Sequence, residues 1–296
     1  MITYPKVSII ILNWNGLKDT IECLESLKKI TYPNYEVIVV DNGSKENDAD
    51  ILEKKYKNYI ELIRNKENLG FAEGNNIGIR QILNEKKSNY ILLLNNDTAV
   101  DPNFLTELVK VAESDSKIGI CGAKNYYYDF KGRKDVVWYA GAKIKWWLGG
   151  AVSHGFQRKE MNFIKTEYVV GSSMLIKTDL LRKIGLLDRS YFSYGEDAEL
   201  CLRAQKAGYD NIYVPISKIW HKVSKAFNTN LPLQTFYRIR NSFWLIKNNF
   251  KKWQYIIFII TFFFYKQPIW ITRFLWQGQF KQIKAFYQGV KDGLIK

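Results

Sequence analysis

"YILLLNNDTAV", Tyr90 to Val100, decides how the chain is read. Four apolar residues in succession, Ile91 to Leu94, fit a strand covered on both faces, because a half-exposed strand would alternate apolar with polar. The run stops at Asn95, Asn96 and Asp97. In an open α/β sheet ligands gather outside the carboxyl ends of the strands, so these polar residues stand where chemistry is usually done. Asp97-Thr98 can equally cap a helix beginning near Asn103 or make a turn.

Outward from that strand the pattern repeats. "VSIIILNWN" (from Val7), "YEVIVVDNGS" (from Tyr35) and "IELIRN" (from Ile60) read as strands. Between them lie a helix over Lys18 to Lys29 with Ile21, Leu24 and Leu27 on one face, a second over Asn47 to Lys57 and a third over Phe71 to Leu83. Regular alternation of strand and helix predicts an α/β fold with a mostly parallel, doubly wound sheet. From Lys124 to Thr166 the pattern gives way to Tyr, Trp, Gly and Lys without helical period, which predicts irregular hairpins and loops. "EYVVGSSMLIKTDLLRKIG" restores a strand, a turn and a helix from Thr178, and "GEDAELCLRAQKAGY" a helix closed by Gly208.

Composition limits the function classes. A chain of 296 residues with 47% hydrophobics builds a real core. A formal charge of +15 calls for an anionic partner: nucleic acid, anionic lipid or a phosphorylated substrate. The three cysteines, Cys23, Cys121 and Cys201, are scattered, with no zinc spacing, and read as reduced, mostly packed thiols. Met1 leads through Pro5 straight into the first strand, without a basic leader, so the catalytic part is expected in the cytoplasm.

Three polar clusters follow strands: Asn13 and Asn15, then Asp41 to Ser44, then Asn95 to Asp97. Neighbouring parallel strands would bring them to one crevice, where amides and a carboxylate can bond a nucleobase and ribose. Asp97 can hold Mg²⁺ or Mn²⁺ against a diphosphate, since oxygen ligands suit these ions. In "NLGFAEGNNIGI" Gly70, Gly74 and Gly78 share a helical face and permit close packing on the sheet. Asn68 and Gly70 precede the helix, where free backbone N–H groups could meet an anion or a sugar. GxGxxG and P-loop spacings are absent, which disfavours hydride transfer and simple nucleotide hydrolysis.

"VSIIILNWNG", "VIVVDNGS", "NLGFAEGNNIGI", "LLLNNDTAV" and "YFSYGEDAELCLRAQKAGY", in this order, resemble the family 2 glycosyltransferases, especially rhamnosyltransferase-like members, over about three quarters of the chain. The resemblance implies a GT-A fold, a nucleotide-sugar donor, a divalent metal and inversion at the anomeric carbon. By that resemblance Asp41 contacts the base, and Asn95-Asn96-Asp97 takes the place of the DxD metal motif. Uncharged Asn95 in its first position leaves one metal charge unneutralised by protein and fits a role through water or on the sugar. Glu196-Asp197 matches the family's acid pair, with Asp197 as the base that takes the acceptor proton and Glu196 orienting the acceptor or exchanging roles with it. Acids in a first helical turn also favour the macrodipole and need do nothing more. Glu199 points away from Asp197 around the helix and reads as a surface residue or one just behind the site. His221 matches a histidine that completes the family's metal site, although a histidine beside an aromatic is often simply packed. Lys222 and Lys225 either face the diphosphate or stay solvated.

The expected organisation is a catalytic domain over 1–230, with a donor half 1–123 and an acceptor half 124–230, followed by a helical, aromatic and basic extension over 231–296. From Lys247 onward nine Lys or Arg face Asp292 alone. The apolar run Tyr255 to Tyr265 is too short for a bilayer, and Lys266, Pro268 and Arg273 interrupt a longer span. Peripheral attachment to the inner face of the cell membrane, through anionic lipid, competes with a helical subdomain or homo-oligomer interface. The acceptor is expected to be a glycan or lipid-linked glycan. A nucleic-acid binder is disfavoured because the basic residues cluster after the α/β half without a reading motif; an inactive scaffold has Asn95 as its only hint.

Overall fold

The structure, a computed structural model, describes residues 4–86, 88–153, 163–223 and 231–295. Strands β1 (Val7–Asn13), β2 (Tyr35–Asn42), β3 (Ile60–Asn65) and β4 (Tyr90–Asn95) pair in parallel in the order β4-β1-β2-β3. Helices α1 (Leu17–Leu27), α2 (Asp48–Tyr56) and α3 (Gly70–Glu85) connect them. The chain steps from β1 outward to β3 and then returns to the other side of β1. That reversal opens a crevice beyond the carboxyl ends of β1 and β4, where loops depart in opposite directions.

Two-sided burial explains the unalternating apolar runs. Ile9 and Ile11 of β1 pack with Leu24 and Leu27 of α1, while Ile10 packs with Ile79 of α3 on the other face. Gly74 and Gly78 allow α3 to sit close, since a Cβ on Gly74 would meet Leu12 at 2.7 Å and one on Gly78 would meet Ile10 at 3.1 Å.

The sheet continues beyond β4 with elements from later in the chain. These are β5 (Thr98–Val100), β6 (Ile118–Tyr127), β7 (Val137–Tyr139), β10 (Ile164–Thr166), β11 (Ser173–Lys177) and β12 (Asp210–His221), with β8 (Ala142–Lys145) and β9 (Gly150–Ser153) forming a separate hairpin. β6 and β12 are parallel, but β11 runs antiparallel between β4 and β6. The region from Lys124 is therefore more ordered than its composition suggests, and β6 runs through the boundary expected at 123/124. Helix α4 (Phe104–Ala112) covers one face of the sheet, and α5 (Thr178–Ile184) with α6 (Glu196–Lys206) covers the other. All three cysteines are buried and free.

The C-terminal region comprises α7 (Leu231–Asn249), α8 (Lys252–Thr261), a π-helical turn (Phe262–Lys266), α9 (Gln267–Trp276) and α10 (Phe280–Ile295). Its aromatic core packs Phe243, Phe258, Phe262 and Phe286 together with Ala198 of α6 and Ile144 of β8, joining the extension to the rest of the fold. Lys252–Trp276 is one continuous helical stretch of 25 residues, long and apolar enough to cross a membrane by length and composition. Contrary to the expected interruption, the helix passes through Lys266 and Pro268. Proline has no N–H and crowds the carbonyl four residues earlier, and the wider π turn supplies the room.

Candidate active site

At the ends of β1 and β2 the polar residues bond to one another. Asn13, fully buried, donates through Nδ2 to Asp41 Oδ1 at 2.8 Å and Asp48 Oδ2 at 3.1 Å and accepts from Thr20 Oγ1 at 2.7 Å. Ser44 donates to Asp41 Oδ1 at 2.6 Å and accepts the Asn15 N–H, while the Asn15 side chain accepts the Lys45 N–H at 2.8 Å. Asn15 holds the left-handed φ of 51° that this lock between the two loops requires. Asn96 joins the same network by donating to Thr20 Oγ1 at 3.0 Å, and Gly16 permits that approach because a Cβ there would stand 2.4 Å from Asn96 Nδ2.

The expected free N–H groups before α3 are used internally. Asn68 Oδ1 accepts from Gly70 N–H at 2.9 Å and from Asn42 Nδ2, and Phe71 N–H donates to the Phe192 carbonyl at 2.7 Å. Gly70 has φ +81°, and a Cβ on it would lie 2.4 Å from that same carbonyl oxygen. The glycine thus serves the close approach of α3 to the loop ahead of α6, rather than opening an anion pocket.

Asp97 and His221 meet at the other side of the crevice. β5 pairs with the end of β12 and places His221 opposite Thr98, bringing His221 Nε2 to 3.0 Å from Asp97 Oδ1. Asp97 thus engages β12, not the N-terminus of α4. Asn95 Nδ2 lies 3.4 Å from the same ring nitrogen, and Trp138 contacts the imidazole edge to face at 4.8 Å. Asn95 Oδ1 and His221 Nδ1 are buried with no hydrogen-bond partner among the described residues. A carboxylate and an imidazole 3.0 Å apart, beside an orphaned amide oxygen, fit a divalent cation that completes its shell with phosphates and water. Among the described residues no group of three His, Cys, Asp or Glu side chains surrounds such a point, so protein would supply the smaller part of the shell.

Neither reading made for Lys222 holds. Its ammonium is bound to Asp19 at 2.5 Å and Glu22 at 2.6 Å, tying the end of β12 to α1. Lys225 lies outside the described residues.

Glu196 and Asp197 begin α6 after a turn in which Tyr194 (φ 68°) and Gly195 (φ 103°) are both left-handed. Asn241 of α7, buried, holds this turn by donating to the Ser193 and Tyr194 carbonyls at 2.8 and 2.6 Å. Asp197 Oδ2 accepts from Tyr168 Oη at 2.8 Å and from Gly171 N–H at 3.0 Å. Burial raises its pKa, and these hydrogen bonds to the charged form pull against the rise. Glu196 Oε2 is buried and unpartnered among the described residues. Burial first, and then the neighbouring Asp197 charge, push its carboxyl well above the usual range. The donors on Asp197 favour its anion and none reaches Glu196 Oε2 among the described residues, which makes Asp197 the easier of the two to ionise. Glu199, expected at the surface or just behind the site, is buried and bonded through both oxygens to Arg203 Nε at 2.7 and 2.8 Å. Arg203 also caps the Ile184 and Leu186 carbonyls, so this pair fixes α6 to the end of α5.

One cavity of about 550 Å³ is lined by Asn95, His221, Glu196 and Asp197 together, and also by Tyr168, Lys266 and Trp270. Asp97 adjoins it through His221; Asp41 lies outside its lining. Tyr168, Gly171, Lys266 and Trp270 were not singled out from sequence. Tyr168 and Gly171 sit in "EYVVGSS", which reads as the start of a strand but forms a loop ahead of β11.

A doubly wound sheet with a polar switch-point crevice, a carboxylate and imidazole pair on one wall and a buried acid pair on another, is an α/β architecture of the GT-A fold. The chain belongs to glycosyl transferase family 2, whose model matches residues 8–185. The matched part contains Asp41 and Asp97 and ends before Glu196. An uncharacterized protein of Sinorhizobium fredii, y4gI, is 31% identical over 240 residues, which is 74% of this chain and 25% of that one. The chain thus spans a quarter of the length of this first relative. The dTDP-rhamnosyl transferase RfbF of Shigella flexneri is 26% identical over 229 residues, 73% of this chain and 72% of its own. Among solved structures, the mannosyltransferase PcManGT of Pyrobaculum calidifontis, in complex with GDP-Man and Mn²⁺, superposes with a TM-score of 0.63 over 98% of this chain and 87% of that one, at 15% identity.

Proposed function

We propose that the protein transfers a sugar, with inversion, from a nucleoside diphosphate donor to a hydroxyl of a glycan or lipid-linked glycan in cell-surface polysaccharide synthesis. The observation that carries this reading is the shared cavity, in which the Asn95 and His221 wall faces the same space as the acid pair. The rhamnosyltransferase relative favours dTDP-rhamnose, with a UDP-sugar as the other choice.

Asp97 and His221 would hold Mg²⁺ or Mn²⁺, which offsets charge on the departing diphosphate. Asn13, Asn15, Asp41 and Asn96 form the rigid frame of the donor's nucleoside end, and Asn68 and Gly70 set the position of α3 behind it. Asp197 takes the acceptor proton. Tyr168 Oη and Gly171 N–H fix that carboxylate's orientation, and the protonated Glu196 beside it can donate a hydrogen bond to the acceptor.

Thermal shift against a panel of nucleotide sugars, with and without Mn²⁺ or Mg²⁺, tests the reading, because a ligand of the native state raises Tm. The expected result is a metal-dependent rise of several degrees for a dTDP- or UDP-sugar; no rise with any member of the panel sinks the proposal.

The same reading places the enzyme at the cytoplasmic face of the membrane. Support comes from the outer side of the Lys252–Trp276 helix, where Phe264 and Trp276 are 83% and 88% exposed among basic neighbours. Sedimentation with anionic vesicles should fall in a Phe264→Ser/Trp276→Ser double variant, and unchanged sedimentation removes this part of the proposal.

A further inference from the structure

Lys266 is the only residue of the π-helical turn directed into the cavity. Its neighbours Phe263, Phe264 and Tyr265 are exposed on the outer side, whereas Lys266 is half-buried and lines the cavity with Trp270, one turn further along. The Lys266 ammonium donates to the Leu148 carbonyl at 2.8 Å and forms no ion pair with a carboxylate among the described residues. An ammonium has three donors, so two remain for a ligand. π turns inserted in α-helices are frequent at functional sites, and here the turn delivers a cation to the wall opposite in character to the acidic one.

We propose that Lys266 receives a phosphate group of the acceptor, so that the acceptor is phosphorylated, with its reacting hydroxyl at Asp197 and its phosphate at the C-terminal helix. This rests on the reading of the cavity as a transfer site. Arg238 lines the cavity as well, but its guanidinium lies over the Tyr194 ring at 4.8 Å, whereas the Lys266 ammonium is held by the Leu148 carbonyl beside the hairpin. The helix that carries it presents Phe264 and Tyr265 outward, so an acyl or prenyl chain attached to the phosphate would leave the cavity along an apolar surface. Burial lowers the Lys266 pKa to about 8, which keeps the ammonium charged at neutral pH and makes an incoming anion its natural compensation.

Fluorescence titration of the full chain in EDTA, so that no metal draws phosphate to Asp97 and His221, reads the site with farnesyl phosphate, farnesol and inorganic phosphate as probes. Farnesyl phosphate should bind at least about tenfold more tightly than farnesol. Lys266→Met should abolish that difference and Lys266→Arg should keep most of it, as a charge-assisted hydrogen bond dictates. Phosphate binding that is Lys266-dependent without any gain from the prenyl chain assigns the group to a soluble phosphorylated acceptor; a further gain from the chain assigns it to a lipid. Affinity above pH 8 should decline in the wild type. Equal affinity of wild type and Lys266→Met for farnesyl phosphate overturns the inference. Nucleotide binding with Mn²⁺, measured on the same two proteins, separates the outcomes: if the wild type binds a nucleotide while Lys266 makes no difference to farnesyl phosphate, the acceptor inference alone falls, and if no nucleotide binds, the transfer reading falls with it.

Discussion

The two ends of the crevice use their polar atoms in opposite ways. Beyond β1 and β2, Asn13, Thr20, Asp41, Ser44 and Asp48 bond one another. Beyond β4 and β12 and at the start of α6, Asn95 Oδ1, His221 Nδ1 and Glu196 Oε2 are buried without a partner among the described residues. An unsatisfied buried polar atom costs about 1–3 kcal/mol, so the second end is held in a state that the isolated fold disfavours. The first end is a finished frame, and the second is finished by what binds. The difference implies that substitutions at the first end should be felt mainly in stability, and at the second mainly in turnover.

The largest effect expected is at Asp197. Asp197→Asn keeps the shape and removes the base, so transfer should fall by about 10²–10⁴-fold, the range general base catalysis supplies. Donor affinity and Tm should stay near those of the wild type, because Tyr168 Oη can still donate to the amide oxygen. Initial rates and nucleotide titration on the same sample decide it; turnover close to wild type removes Asp197 as the base. The raised pKa adds a pH dependence, with the rate rising as Asp197 ionises, at a pH above that of an ordinary aspartate.

A smaller effect, of the other kind, is expected at Asn13. Asn13→Ala strips Asp41, Asp48 and Thr20 of a shared buried partner and should cost at least about 1–3 kcal/mol. In a chain of this size that lowers Tm by several degrees. Calorimetry checks it, and an unchanged Tm would mean that the frame is less interdependent than its hydrogen bonds imply.

The division also marks how far sequence could be read. Strand runs such as Ile91 to Leu94 and the glycine face of α3 carry their own periodicity, so the parallel part of the sheet and the close packing of α3 were legible. β11 was not expected to enter antiparallel, because its apolar run is the same in either direction. Asp97, His221 and Asp197 were singled out through motif order, yet the contacts around them were not legible. Tyr168 reaches Asp197 across 29 positions and Lys266 reaches Leu148 across 118, and no local pattern encodes such contacts. Helical spacing put Glu199 away from Asp197 but left open whether it met solvent or protein; that side of α6 faces α5 through Arg203. The extension was read as a membrane-interface or oligomerisation segment, and no local pattern showed that Asn241 and Lys266 would also reach the cavity and its turn.

The smallest effect sharpens the comparison most, because its sign is unusual. Glu196 has a folded pKa raised above its unfolded value by burial and by Asp197, so the fold prefers its protonated form. Its favourable contribution is complete below the unfolded pKa and is lost as pH rises through the folded one. Glu196→Gln is nearly isosteric and cannot ionise. It should therefore be neutral in acid and increasingly stabilising relative to the wild type as pH rises from the unfolded pKa of a glutamate through the folded one. Denaturation of both proteins in urea across that pH range reads the crossover directly. A Glu196→Gln variant that is less stable at high pH would mean that Glu196 is paired as an anion, and the contrast between a satisfied and an unsatisfied end would lose its clearest member.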